Sequence, residues 1–124
     1  MNMKKLFLLH AIIEMLAGVL LIFKPEWLLQ IDGQSVQTLV VSKLYAVVAF
    51  TFGTLSYLLY TIFEFNQVFK KIILLVMFFH LMIAFQMYAA YTQGNTPNLG
   101  AFGLHISLAL IFLVGYMSNP NAFE

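Results

Sequence analysis

Arginine and cysteine are both missing from this sequence, and charge of either sign is scarce. Without cysteine there is no disulfide, no thiolate nucleophile and no thiolate-held metal or iron–sulfur cluster. With lysine as the sole strong cation and a net charge of +1, the chain lacks the basic surface that neutralises phosphates, which argues against a nucleic-acid partner. Charged residues make up 9% of the chain, against about 25% in soluble domains. Proline is confined to Pro25, Pro97 and Pro120, outside every long apolar run.

What fills the space is apolar. Hydrophobic residues reach 62% of 124 positions, where soluble domains hold about 45–50%. A soluble chain of this size buries too little of its surface to hide such an excess. In a bilayer the same surface meets its proper solvent, and the composition therefore implies an integral membrane protein.

A hydrocarbon core about 30 Å thick needs about 20 apolar residues in helical form. Four segments approach this length: residues 6–23, 38–63, 68–91 and 100–117. Irregular backbone cannot face lipid, so the expected fold is all-α, a transmembrane four-helix bundle forming a single integral membrane domain over 1–124. Lys4 and Lys5 followed by an apolar run have the layout of a secretory leader. The run nevertheless continues to Phe23 through His10 and Glu14 with no small-residue cleavage site, so a retained first span is expected.

The connections carry breakers. Lys24-Pro25-Glu26-Trp27 ends the first span, with Trp27 suited to the headgroup boundary and a short interfacial turn expected through Leu28, Leu29 and Ile31. Asp32-Gly33-Gln34-Ser35 is a turn signal, Glu64–Gln67 separates the second and third spans, Thr92–Asn98 is a polar loop, and Pro120 follows the last span. Lys4, Lys5, Lys70 and Lys71 fall on one side of the membrane, Lys24 and Lys43 toward the other. That bias places both termini in the cytoplasm, with a bacterial inner membrane as the expected location.

Helices in lipid associate through small residues and polar contacts. Ser42, Ala46, Ala49, Gly53, Ser56 and Tyr60 form one stripe, His10, Glu14 and Gly18 another, and Gly100, Gly103 and Ser107 a third. All three are expected to face neighbouring helices.

Five ionisable residues lie within the spans: His10, Glu14, Lys43, His80 and His105. Such a group near a span centre costs about 2.5–3.5 kcal/mol on insertion scales, so it tends to face the bundle, find a partner and serve a function. At about 1.5 Å per residue, Glu14 and His80 fall at mid-membrane, His10 one turn below, and His105 and Lys43 on the other half. The expected arrangement is a polar column of these five, as ligand-binding or proton-carrying candidates. The structural alternatives are a glutamate that merely ties helices together, core histidines bonded to backbone or hydroxyl groups, and a lysine that snorkels outward. Three histidines on three spans, without tight spacing and at differing depths, give no expected metal set, and the cofactor stays open.

The span layout resembles the DoxX-like families of small bacterial four-helix membrane proteins. The resemblance rests on a first helix interrupted at Gly18 and ending at Pro25-Glu26, an Ala/Gly-rich second helix, and His80 and His105 in the last two. It implies an accessory or hydrophobic-ligand-binding bundle and transfers no catalytic residue. The ergosterol-biosynthesis scaffold proteins of eukaryotes have a comparable layout, which by analogy implies scaffolding. In size, span count and a mid-span Glu14 the chain also looks like the small multidrug-resistance transporters, implying proton-coupled transport by a homodimer. His10-x-x-x-Glu14 is similar to the His and Glu of emopamil-binding-type sterol isomerases, implying acid–base chemistry on a lipid-soluble substrate. The partners so implied are the bilayer, a hydrophobic small molecule, a membrane protein, or a second copy of the chain.

Overall fold

In a computed structural model the described residues are 2–29, 36–95 and 99–119. The chain is all-α: α1 (Met3–Phe23), α2 (Pro25–Leu29), α3 (Val36–Thr61), α4 (Gln67–Thr92) and α5 (Gly100–Met117), with no strand among the described residues. All but α2 are long and apolar enough to cross a membrane, as the expected all-α transmembrane bundle requires. The outward faces carry Leu16, Leu44, Phe78, Phe85 and Val114, all exposed, an arrangement suited to lipid and not to water.

Local chemistry sets the helix ends. Asn2 Oδ1 accepts from Lys5 N–H at the start of α1. Lys24 N–H still reaches Leu20 C=O at 2.7 Å before Pro25 opens α2, where a missing N–H costs nothing. Trp27 is exposed, as an interfacial anchor would be. Asn66 caps α4 by accepting from the N–H groups of Val68 and Phe69, both at 3.0 Å, which satisfies two of the orphan donors at that end. At the other end Gly94 adopts φ +74°. Its N–H donates to Tyr91 C=O at 3.0 Å, and Asn95 N–H donates to Ala90 C=O at 2.8 Å. This reciprocal pair is a Schellman ending, which favours glycine at the left-handed position. The expected turn at Asp32–Ser35, the part of the polar loop at residues 96–98 and the Pro120 stop lie outside the described residues.

Lipid-side polar groups satisfy themselves within their own helices. Thr51, Thr61, Thr92 and Ser118 donate their hydroxyls to Val47, Leu58, Ala89 and Val114 carbonyls at 2.6–2.9 Å, the local bonding that lets Ser and Thr live in a membrane helix.

The chain divides into two compact units, residues 7–61 and residues 1–6 with 62–124. In the first, α1 and α3 run antiparallel. Gly53 and Gly18 permit the approach: a Cβ on Gly53 would sit 3.0 Å from Met15 Cγ, 3.2 Å from Met15 N and 3.3 Å from Ala11 O, and one on Gly18 would sit 3.1 Å from the Phe50 ring. Ser42 donates to Leu21 C=O at 2.8 Å. Ser42, Ala46, Ala49, Gly53 and Ser56 are all buried, with Tyr60 half-buried, and His10, Glu14 and Gly18 are buried on α1. Two of the three small-residue stripes thus lie on buried faces.

In the second unit α4 and α5 pair antiparallel. The buried face of α4 is Phe69, Ile73, Val76, His80 and Ala84, and that of α5 is Leu108, Ala109, Phe112 and Gly115. Phe63 packs edge-on against Phe65 and Phe69, and Tyr88 lies against Phe102. Here one expectation is corrected. Gly100 and Ser107 are exposed, and nothing lies within 4 Å of a Cβ built on Gly103. Gly103 and Ser107 stand about 160° round the helix from His105. Because His105 turns toward α4, the small residues turn away from it.

Candidate functional site: two histidine centres and a lipid-side groove

Of the five candidate residues, His10, Glu14 and Lys43 belong to one unit and His80 and His105 to the other. In the α1–α3 hairpin, the 3.6-residue repeat puts His10 and Glu14 on one face of α1, one turn apart. His10 Nε2 is 3.4 Å from Glu14 Oε1, and the two side chains are 0% and 7% exposed. Across the hairpin, His10 Nδ1 is 2.6 Å from Ser56 Oγ.

This geometry has definite protonation options. A neutral imidazole with its hydrogen on Nε2 faces the carboxylate and accepts the Ser56 hydroxyl at Nδ1. With one more proton the imidazolium donates to Ser56 and faces Glu14 as an ion pair, or Glu14 carries the proton as an acid against a bare Nε2. Each arrangement gives both ring nitrogens a polar neighbour in a site shielded from solvent. Its His–Glu pairing is also the raw material of general acid–base chemistry.

In the α4–α5 hairpin, His80 Nδ1 and His105 Nδ1 approach to 2.8 Å, with the rings stacked at 5.1 Å between centroids and 29° between planes. His80 is fully buried and His105 half-buried. Two ring nitrogens at this distance bond only if one carries the hydrogen and the other presents a lone pair. One imidazole therefore carries a hydrogen on Nδ1 while the other presents a bare Nδ1. Phe79 stands edge-on to His80 at 5.2 Å and adds an apolar wall.

Lys43 is exposed, and its neighbour Ser42 takes the buried position instead. No buried side-chain nitrogen or oxygen among the described residues lacks a hydrogen-bond partner, as burial in an apolar medium demands. No family model, curated protein or solved structure matches this chain.

Two features escaped the sequence. Ser56 reads there as one small residue in a packing stripe, and only the height of α3 against α1 turns its hydroxyl into the partner of His10. The second is a shallow apolar groove of about 340 Å³ on the α1–α3 hairpin, lined by Leu8, Ala11, Ile12, Met15, Leu16 and Tyr57. Every lining residue but Tyr57 is an ordinary member of a membrane helix, so nothing in the sequence marks them. The groove adjoins the polar centre along the chain: Ala11 follows His10, Met15 follows Glu14 and Tyr57 follows Ser56.

Proposed function

We propose that this chain is a small accessory membrane protein that takes up the apolar chain of a membrane molecule, with the His10–Glu14–Ser56 centre beside it. The observation that carries this reading is the groove between α1 and α3. Its volume of about 340 Å³ lies at the lower end of the range for ligand sites, about 300–1,000 Å³. Its lining is apolar and includes Met15, whose unbranched side chain adapts to irregular ligands. It opens on a face that a bilayer surrounds with lipid chains, so the occupant is an extended acyl or prenyl chain. The DoxX-like span pattern supports an accessory role, and the lysine bias supports cytoplasmic termini in a bacterial inner membrane.

The test is native mass spectrometry of the protein released from a mild detergent after incubation with a long-chain prenol and with a phospholipid. Wild type should keep an apolar adduct, and Ile12→Trp and Leu16→Trp, which fill the groove from exposed positions, should lose it. Adducts of equal abundance in wild type and both variants would sink the reading.

The His10–Glu14 pair favours a second reading, proton-coupled transport with Glu14 as carrier. Glu14→Gln then abolishes proton-driven flux in proteoliposomes. Under the first reading the same variant still retains the adduct.

A further inference from the structure

His80 and His105 meet in a way that helix packing alone does not require. Their ring planes are 29° apart and their centroids 5.1 Å apart. That separation equals the 2.8 Å between the two Nδ1 atoms plus one ring radius on each side, the largest value this nitrogen contact allows. The rings are therefore offset to the limit, and each Nδ1 points straight at the other. The hydrogen between them lies on the line along which both nitrogens direct their bonding pairs.

The hairpin holds this line among apolar side chains of its own. His80 shares the buried face of α4 with Ile73, Val76 and Ala84, and Phe79 stands edge-on to it. The buried face of α5 is Leu108, Ala109, Phe112 and Gly115. His105 is half-buried, so the pair combines one sheltered ring with one that can withdraw by side-chain rotation. An ion entering here gives up water, at a Born cost that grows with the square of its charge. One positive charge is thus far cheaper to hold than two.

From this geometry we infer that His80 and His105 form a linear two-nitrogen site for a soft monovalent metal ion, copper(I). A tetrahedral ion would hold two nitrogens about 3.3 Å apart with both lone pairs turned to a point off their line. Copper(I) suits imidazole and accepts two nitrogens from opposite sides. With metal–nitrogen bonds of about 2.0 Å, an in-line ion needs its nitrogens about 4 Å apart, so the rings must part by about 1.2 Å. Loading breaks the Nδ1–H···Nδ1 bond and forms two Nδ1–metal bonds. The donor ring loses its Nδ1 hydrogen to water and takes one from water at Nε2. Both rings end neutral, no net proton is released, nothing is oxidised or reduced, and the complex carries the single charge of the ion.

The experiment titrates the full chain in mild detergent with silver(I), a redox-inert stand-in, and counts bound ions by native mass spectrometry. Wild type should hold one ion per chain. His80→Ala and His105→Ala should each weaken binding by more than about a hundredfold, the upper end for losing a group that merely supports a ligand. Copper(I), kept reduced by ascorbate, should displace silver one for one, and zinc should not. In nitrogen-15 spectra of wild type, silver should abolish the Nδ1–H signal and leave both rings with hydrogen at Nε2. Retention of the ion in both histidine variants would overturn the inference and assign the ion to methionine thioethers. Loss of the ion in His10→Ala with retention in His105→Ala would overturn it by placing the ion at the other histidine centre. Zinc held as tightly as silver would contradict the linear, monovalent site. Should a variant lose its helical circular dichroism, the wild-type spectra decide alone: an Nδ1–H signal that survives saturating silver overturns the inference.

Discussion

His10 on α1 and Ser56 on α3 meet through a 2.6 Å contact between Nδ1 and Oγ, buried and 46 residues apart in sequence. It is a polar tie between the helices of one hairpin, placed where an unpaired nitrogen would be costly. Ser56→Ala removes the hydroxyl and leaves that imidazole nitrogen without this partner, at a cost of about 1–3 kcal/mol. Denaturation in mild detergent, followed by circular dichroism, should show the loss. An unchanged transition would mean the contact contributes nothing to stability.

His10 and Glu14 should prove energetically coupled. A double-mutant cycle with His10→Gln and Glu14→Gln should give an interaction energy of about 0.5–3 kcal/mol, the range for residues sharing a polar network. Additive single-variant effects would show that the 3.4 Å approach is mere proximity.

The 2.8 Å approach of His80 and His105 through Nδ1 atoms requires a hydrogen on one Nδ1 and a lone pair on the other. Nitrogen-15 spectra of histidine-labelled protein in bilayers should contain one ring protonated at Nδ1, a signal that disappears or shifts in both His80→Ala and His105→Ala. A spectrum in which each neutral ring carries its hydrogen at Nε2 is incompatible with the contact.

Glycines of the two hairpins should respond in opposite senses to the same change. Gly53→Ala puts a methyl group 3.2–3.3 Å from backbone atoms of α1, so the helices must part, at about 1–3 kcal/mol. Gly103→Ala meets nothing within 4 Å and should be neutral or stabilising by up to about 1 kcal/mol through helix propensity. Equal effects at the two sites would contradict the rotation of α5 described above.

Gly94 closes α4 at φ +74°. Gly94→Ala should cost about 1–2 kcal/mol for a left-handed alanine, seen as lower thermal stability. A variant as stable as wild type would mean this ending relaxes freely.

Much of the architecture was legible because membrane helices announce themselves by length and hydrophobicity, which one sequence contains in full. The last span is expected over 100–117 and α5 runs Gly100–Met117. Small-residue spacing identified the buried faces of α1 and α3 for the same reason: periodicity is local. On α5 two local signals pointed in opposite directions, His105 to one side and the Gly100–Gly103–Ser107 line to the other, and only a partner helix decides between them. The Ser56 contact and the groove were hidden because both depend on how far α3 slides along α1, a quantity set by packing across the hairpin and not written in either helix.

The placement of the histidine partners carries an order into biosynthesis. His10 is matched by Ser56 and His80 by His105, each from the other long helix of the same hairpin. A nascent α1 or α4 entering the bilayer ahead of its mate carries an imidazole that lacks this contact, and the arrival of α3 or α5 supplies it. Each helical hairpin thus supplies a histidine tie of its own, and a break between Thr61 and Ile62 would leave each of these two contacts within a single piece.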